Sequence, residues 1–130
     1  MNLANKTVMI ADDDKLVRLT FKHVFEEAGY TALVADNGRD AIAQLSRTDV
    51  GTIFLDVFMP DQDGIETLLE IKRAHPETRV IVMSGGGVRG RYDFLAAATK
   101  FGADGVVRKP ISPQQLIAMF EADQFRQPAA

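Results

Sequence analysis

The chain has 130 residues, of which 46% are hydrophobic and 25% charged, proportions that fit one globular domain and exclude general disorder or a fibrous repeat. The formal net charge of −3 offers no basic footprint for nucleic acid or anionic lipid, and the lack of cysteine excludes disulfides, thiolate zinc sites and thiol catalysis. The apolar runs are far shorter than the ~20 residues that span a bilayer. We therefore expect a cytoplasmic protein with no membrane contact and no direct nucleic acid contact.

Short apolar runs, rich in branched residues, predict four strands that are buried on both faces. They are Thr7 to Ile10, Gly51 to Leu55, Val80 to Met83 and Gly105 to Val107. A fifth, weaker strand segment runs from Tyr30 to Ala35 and precedes Asp36-Asn37-Gly38, which predicts a turn.

Segments with a helical period lie between these strands. The clearest one places Val17, Phe21, Val24, Phe25 and Ala28 on one face, and the following Gly29 predicts the end of that helix. Weaker helical stripes follow over residues 41–45, 65–72, 92–99 and 116–120. The chain therefore repeats the order strand then helix five times.

Strands that alternate with helices are parallel, because each helix carries the chain back across the sheet. Five such units are too few to close an eight-stranded barrel, so we predict an open, doubly wound α/β fold. The expected sheet has five parallel strands in the order 2-1-3-4-5 with five helices, which is the flavodoxin-like arrangement. One domain is expected over residues 1–123, followed by a loosely attached tail over residues 124–130.

Polar residues follow the predicted strands at the edge where ligands bind in folds of this kind. Asp12, Asp13 and Asp14 follow the first strand, and Asp56 follows the third. Because strands 1 and 3 are neighbours, Asp12 or Asp13 should approach Asp56, where the carboxylates repel one another and need a cation. An all-oxygen site of this kind is what Mg²⁺ prefers.

Two further residues at this edge fit a phosphoryl group. Ser84 follows the fourth strand and offers a hydroxyl donor, and Lys109 follows the fifth strand and offers a positive charge. A carboxylate can itself be the nucleophile in aspartyl-phosphate chemistry. Asp56, alone at the end of its strand, is the candidate acceptor.

These residues carry a resemblance to a known family. The segments Met9 to Asp14, Phe54 to Pro60 with Asp63-Gly64, Val82 to Ser84, and Lys109-Pro110 resemble the signature of the response regulator receiver domain. The resemblance implies phosphotransfer to Asp56 from a sensor histidine kinase or a histidine phosphotransfer protein. It also implies Mg²⁺ held by Asp13, Asp56 and the backbone carbonyl of Phe58, with Asp12 assisting.

The resemblance further implies that Lys109 contacts the phosphoryl group, that Ser84 moves toward it, and that the bond before Pro110 is cis. A stand-alone receiver over residues 1–123, without an output domain, would signal through its fourth helix, fifth strand and fifth helix to a separate effector. Homodimer formation stays open. Such a domain is not an enzyme beyond accepting its own phosphoryl group and, at most, releasing it slowly.

The sequence departs from the family pattern in two places. Family members usually carry an aromatic residue at the position of Val106, and it swings inward on activation. The glycine-rich stretch from Ser84 to Arg91 predicts a mobile, poorly helical start of the fourth helix, because each helical glycine costs about 1 kcal/mol relative to alanine. Phe58 is placed where its side chain either leans over the site or packs against a neighbouring loop.

Two alternative functions stay open at this point. Val106 and the glycine-rich stretch are compatible with an interaction module that works without phosphorylation. Asp12 and Asp14 formally satisfy the Asp-x-Asp pattern of Mg²⁺-dependent phosphohydrolases of the aspartyl-phosphate type. Such enzymes generally need a cap or a longer chain to shield the intermediate from water.

Overall fold

In the computed structural model, residues 5–57, 64–84 and 94–123 are described. The strands in these ranges are β1 (Thr7–Ala11), β2 (Thr31–Ala35), β3 (Thr52–Asp56), β4 (Arg79–Ser84) and β5 (Gly105–Arg108). The helices are α1 (Lys15–Glu27), α2 (Gly38–Leu45), α3 (Gly64–Ala74), α4 (Phe94–Lys100) and α5 (Pro113–Glu121). The predicted tail over residues 124–130, the glycine-rich residues 85–91 and Phe58 lie outside the described ranges.

The five strands form one parallel sheet in the order β2-β1-β3-β4-β5, which confirms the predicted topology. Each helix returns the chain to the same edge, so consecutive strands run in one direction. In the register, Ala11 of β1 pairs with Ala35 of β2 and with Leu55 of β3. The carboxyl ends of the three strands are therefore level, and the residues that follow them meet at one edge.

Helices cover both faces of the sheet, which explains the continuous apolar runs in the strands. Val8 and Ile10 of β1 pack on one face with buried side chains of α1 and α5. Met9 and Ala11 of the same strand pack on the other face with side chains of α2, α3 and α4. This alternation is the period-2 geometry of a strand with both faces buried.

The helix starts depend on short polar side chains. Asp14 is the N-cap of α1 and accepts from the backbone amides of Leu16 and Val17. The Asp36-Asn37-Gly38 segment predicts a turn, but Asn37 is the N-cap of α2 and accepts from the amide of Asp40 at 2.7 Å. The prediction of a turn is wrong for Gly38, because this residue begins α2. The turn and the N-cap are hard to separate in the sequence, since Asn is common in both.

In the described part of the chain, every helix is too short or too polar to cross a bilayer.

Candidate functional site

The carboxyl ends of β1 and β3 bring two carboxylates together inside the fold. Asp12 directly follows β1, and Asp56 is the last residue of β3. Asp12 is fully buried and Asp56 is 4% exposed. Because an unpaired buried carboxylate is costly, both side chains need compensating partners at this edge.

Asp13 joins these two residues in a three-carboxylate cluster. One carboxylate oxygen from each of Asp12, Asp13 and Asp56 lies within 4.8 Å of the others. Like charges at such distances repel, and a cation with oxygen ligands relieves that repulsion. Asp13 is exposed, which leaves water access to complete the octahedral shell that Mg²⁺ prefers. The three carboxylates thus fit the predicted Mg²⁺ site.

Lys109 supplies a positive charge to the same cluster. Its Nζ donates to Oδ2 of Asp12 at 2.6 Å and lies 3.6 Å from Oδ2 of Asp56. Burial lowers the pKa of Lys109, but the hydrogen bond to Asp12 and the charge of Asp56 outweigh it, so the pKa lies above the ordinary 10.5. Lys109 therefore stays an ammonium beside the carboxylates at neutral pH.

The backbone around Lys109 follows the prediction. The Lys109–Pro110 peptide bond is cis, as the resemblance to receiver domains implies. The amide of Lys109 donates to the carbonyl oxygen of Ser84 at 2.9 Å, which ties the end of β5 to the end of β4. The cluster and its lysine thus lie at the carboxyl ends of β1, β3 and β5, and β4 lies between the last two of these strands.

Ser84 lies at the predicted edge. It is the last residue of β4 and is 5% exposed. In the register Asp56 pairs with Met83, so Ser84 is one residue beyond the position opposite Asp56. The structure therefore brings the ends of β3, β4 and β5 together as the sequence predicts.

Asp14 belongs to a different environment from Asp12. Its exposed carboxylate accepts from the amide of Leu16 at 2.9 Å as the N-cap of α1. Its own amide donates to Oδ1 of Asp12 at 2.9 Å. The carboxylate of Asp14 thus caps a helix, while its backbone supports the buried carboxylate next to it.

Sequence reasoning missed two contacts that shape the site, one made by Arg18 and one made by Gly64. Arg18 donates from Nη1 to the carbonyl oxygen of Asp12 at 2.8 Å. The signal for this contact is its position four residues after the N-cap Asp14, from which a long side chain points back toward the helix start. Gly64 makes the second: a Cβ added there would lie 2.3 Å from Cα of Val57, the residue after Asp56.

Val106 stands where receiver domains usually carry an aromatic residue. It is half-buried and packs against the core cluster on the α2, α3 and α4 face of the sheet. Val106 is therefore a small aliphatic residue of β5 whose side chain contacts the core.

Fold and site together define a doubly wound α/β domain with a lysine-flanked carboxylate site at the carboxyl ends of its strands.

Comparisons with known proteins agree with this class. Residues 8–121 match the family model of the response regulator receiver domain. The chain is 31% identical over 113 residues to the chemotaxis protein CheY of Thermotoga maritima, covering 86% of this chain and 92% of CheY. It is 32% identical over 115 residues to the transcriptional regulatory protein CpxR of Klebsiella pneumoniae, covering 88% of this chain but 47% of that longer protein.

A solved structure shows the same similarity. The receiver domain of the Francisella response regulator 1452 superposes with a TM-score of 0.79 at 30% identity, covering 91% of this chain and 95% of that domain. The chain therefore belongs to the response regulator receiver domain family of two-component signalling. Receiver domains generally bind Mg²⁺ at an acidic pocket, and the family interacts with histidine kinases and effectors.

Proposed function

We propose that this receiver domain accepts a phosphoryl group on Asp56 from the phosphohistidine of a sensor histidine kinase or a histidine phosphotransfer protein. The observation that carries the proposal is the meeting of Asp56 with Asp12, Asp13 and Lys109 at one edge of the sheet. A buried carboxylate beside an ammonium group and a cation site matches what aspartyl-phosphate chemistry requires.

The proposed step transfers one phosphoryl group between two side chains. A carboxylate oxygen of Asp56 forms the new P–O bond while the P–N bond to the donor imidazole breaks. The imidazole, protonated on its other nitrogen, leaves as the neutral ring with the electron pair of the broken bond. Asp56 is the residue of this chain that forms a covalent bond in the step. The other site residues therefore contribute by positioning the phosphoryl group and neutralising its charge.

Each neighbouring residue has a role in this proposal. Lys109 neutralises charge on the phosphoryl oxygens, and Ser84 donates its hydroxyl to one of them. Asp12, Asp13, Asp56 and the backbone carbonyl of Phe58 would hold Mg²⁺, which supplies positive charge at the transferred oxygens when it is bound. Asp13 is the exposed member of the set, and its carboxylate therefore faces the solvent from which the cation enters.

We propose that the domain is not a turnover enzyme beyond accepting a phosphoryl group and, at most, losing it slowly. The phosphohydrolase alternative requires Asp12 and Asp14 as nucleophile and acid. The hydrogen bonds of Asp14 to Leu16 and Val17 commit its carboxylate to capping α1. This arrangement favours the acceptor role of Asp56 over hydrolysis by Asp12 and Asp14.

The proposed output is a change in the face formed by α4, β5 and α5, which a separate effector protein recognises. We propose a cytoplasmic location, where the proposed phosphodonor proteins work, and no direct contact with nucleic acid. The half-buried Val106 cannot swing an aromatic ring inward, so the signal would pass through backbone and loop movement. The same observation favours the second candidate, an interaction module that works without phosphorylation.

Intact-protein mass spectrometry after incubation with acetyl phosphate and Mg²⁺ separates the two candidates. The wild type should gain one labile phosphoryl adduct, and Asp56→Asn should gain none. Asp49→Asn, which removes an exposed carboxylate outside the three-carboxylate cluster, is the matched control and should be modified like the wild type. A chelator should abolish the adduct in the wild type and in Asp49→Asn.

The opposite pattern would favour the interaction module. If the wild type binds Mg²⁺ but gains no adduct from acetyl phosphate or from a phosphorylated kinase, the acceptor role of Asp56 is wrong. An adduct that persists in Asp56→Asn would place the phosphoryl group on another residue.

A further inference from the structure

Arg18 connects the first helix to the peptide that carries the exposed member of the carboxylate cluster. It lies in the first turns of α1, and its half-buried side chain points back to the end of β1. Its Nη1 donates to the carbonyl oxygen of Asp12 at 2.8 Å. That oxygen belongs to the peptide group linking Asp12 to Asp13, so the contact restrains this peptide plane.

The other polar atoms of Asp12 have partners as well. Its amide donates to the carbonyl oxygen of Ala35 at 3.1 Å, Oδ1 accepts from the amide of Asp14, and Oδ2 accepts from Lys109. Asp13 differs, because its exposed side chain is not enclosed by neighbours and its direction depends on the backbone that carries it. The Arg18 contact is therefore the side-chain hydrogen bond described at the Asp12–Asp13 peptide itself, and it adds to the restraint from the Asp12 and Asp14 amides on either side.

We propose that Arg18 is a positioning residue for the divalent cation site. By holding the Asp12–Asp13 peptide, it keeps the Asp13 carboxylate directed toward those of Asp12 and Asp56. Arg18 is not itself a ligand, since a guanidinium group has donors and no acceptor. The inference rests on the proposed function, because it assumes that the three carboxylates bind Mg²⁺.

Charge and positioning predict opposite effects of removing Arg18. If Arg18 acted only through its positive charge, its removal would strengthen Mg²⁺ binding, because a nearby cation repels the metal. If it acts by positioning Asp13, its removal weakens Mg²⁺ binding, as loss of a residue that orients a metal ligand typically does by about tenfold or more. The sign of the change therefore tests the proposal directly.

The experiment is a Mg²⁺ titration of the wild type and Arg18→Met, followed by backbone amide NMR shifts and by calorimetry. We expect Arg18→Met to bind Mg²⁺ about tenfold more weakly. Lys22→Met is the matched control, because Lys22 lies one turn further along α1 and also donates to a backbone carbonyl, that of Ala32 at 3.1 Å. Its Mg²⁺ affinity should stay within about twofold of the wild type, since Lys22 contacts Glu26 and Ala32 and not the carboxylate cluster.

Lys109→Met removes a positive charge from the carboxylate cluster and should bind Mg²⁺ more tightly than the wild type. Unchanged or tighter binding in Arg18→Met would overturn the positioning role. If Arg18→Met does not fold, Arg18→Gln, whose shorter side chain does not span the distance to Asp12, is measured with the same expectation. Absence of Mg²⁺ binding by the wild type would overturn the proposed function itself, whereas equal binding by wild type and Arg18→Met overturns this inference alone.

Discussion

The Lys109 ammonium group lies 2.6 Å from Oδ2 of Asp12 but 3.6 Å from Oδ2 of Asp56, although Asp56 is the proposed phosphoryl acceptor. Asp12 is fully buried, and a buried carboxylate without a partner is strongly destabilising. In the unphosphorylated domain, the ammonium group of Lys109 therefore lies closer to the fully buried carboxylate of Asp12 than to that of Asp56. This position lets Lys109 compensate the charge of Asp12 while it stays within ion-pair distance of Asp56.

The first prediction concerns the replacement of Lys109. Lys109→Met should lower the free energy of unfolding without divalent cations by about 2 kcal/mol, because Asp12 loses its charged partner while the carboxylates still repel. Mg²⁺ should stabilise this variant more than the wild type, since the metal replaces the missing positive charge. Urea denaturation followed by circular dichroism, with chelator and with Mg²⁺, measures both effects.

Lys100→Met provides the control for Lys109→Met, because Lys100 is an exposed lysine at the end of α4. Its stability should change by less than about 0.5 kcal/mol under both conditions. Equal stabilisation of the wild type and Lys109→Met by Mg²⁺ would contradict the competition between Lys109 and the metal.

Gly64 supports the second prediction, which concerns the connection after β3. A Cβ at Gly64 would lie 2.3 Å from Cα and 2.7 Å from the carbonyl oxygen of Val57, and backbone atoms cannot yield as a flexible side chain can. Gly64→Ala should therefore destabilise the domain by about 1–3 kcal/mol, although alanine is the better helix former. It should also weaken Mg²⁺ binding, because the displaced Val57 follows Asp56 directly.

Gly51→Ala is the matched control for Gly64→Ala. A Cβ there would approach only side-chain atoms of Asn5, at 2.9 to 3.2 Å. A shift of Asn5 costs at most its hydrogen bond from the Thr7 amide, so the free energy of unfolding should fall by no more than about 1 kcal/mol and Mg²⁺ affinity should be unchanged. Similar stability of the two variants would show that the connection at Val57 adjusts more easily than its close contact indicates.

The strands and their order could be predicted because a strand buried on both faces appears in the sequence as a continuous apolar run. A strand such as β3, buried over its whole length, must be apolar until it reaches the edge. Asp56 therefore marks the strand end in the sequence itself. The level registers of β1 and β3 then follow from parallel topology, which is why the Asp12 and Asp56 juxtaposition was predictable.

Contacts between distant side chains left no comparable signal. Lys72 and Asp104 are 32 residues apart and meet at 2.8 Å, yet neither residue belongs to a motif. Gly64 is part of the family signature, but its close approach to Val57 depends on the three-dimensional course of the chain. Periodicity identifies which face of an element is buried, and it does not identify which polar side chains meet across elements.

The third prediction concerns Lys72, whose ammonium group ties α3 to the starts of β4 and β5. It donates to Oδ2 of Asp104 at 2.8 Å and to the carbonyl oxygen of Thr78 at 3.2 Å. Lys72→Met should lower the free energy of unfolding by about 1–2 kcal/mol, since both acceptors lose a charged donor. Arg73→Met, at the exposed neighbouring position of α3, should change it by less than about 0.5 kcal/mol in the same urea titration. Equal effects of the two changes would contradict a specific role of the Lys72 contacts.

The fourth prediction concerns alkaline pH and the contact of Tyr30 with the end of α5. The Tyr30 hydroxyl donates to Oε2 of Glu121 at 2.8 Å. Burial, together with the hydrogen bond to Glu121 and its negative charge, raises the pKa of Tyr30 from 10.0 to about 12. Because the folded state keeps the phenol protonated, this contribution to stability is complete below pH 10 and is lost as the pH rises toward 12.

Tyr30→Phe should therefore be less stable than the wild type at pH 8, and the difference should shrink progressively above pH 10. The ring contact of Tyr30 with Phe25, at 5.4 Å between centroids, is retained by phenylalanine, so the comparison isolates the hydroxyl. The measured quantity is the difference in the free energy of unfolding between the two proteins at each pH. Urea denaturation at pH values from 8 to 12 measures it, and a difference that stays constant across this range would show that Tyr30 has the same pKa in the folded and unfolded chain.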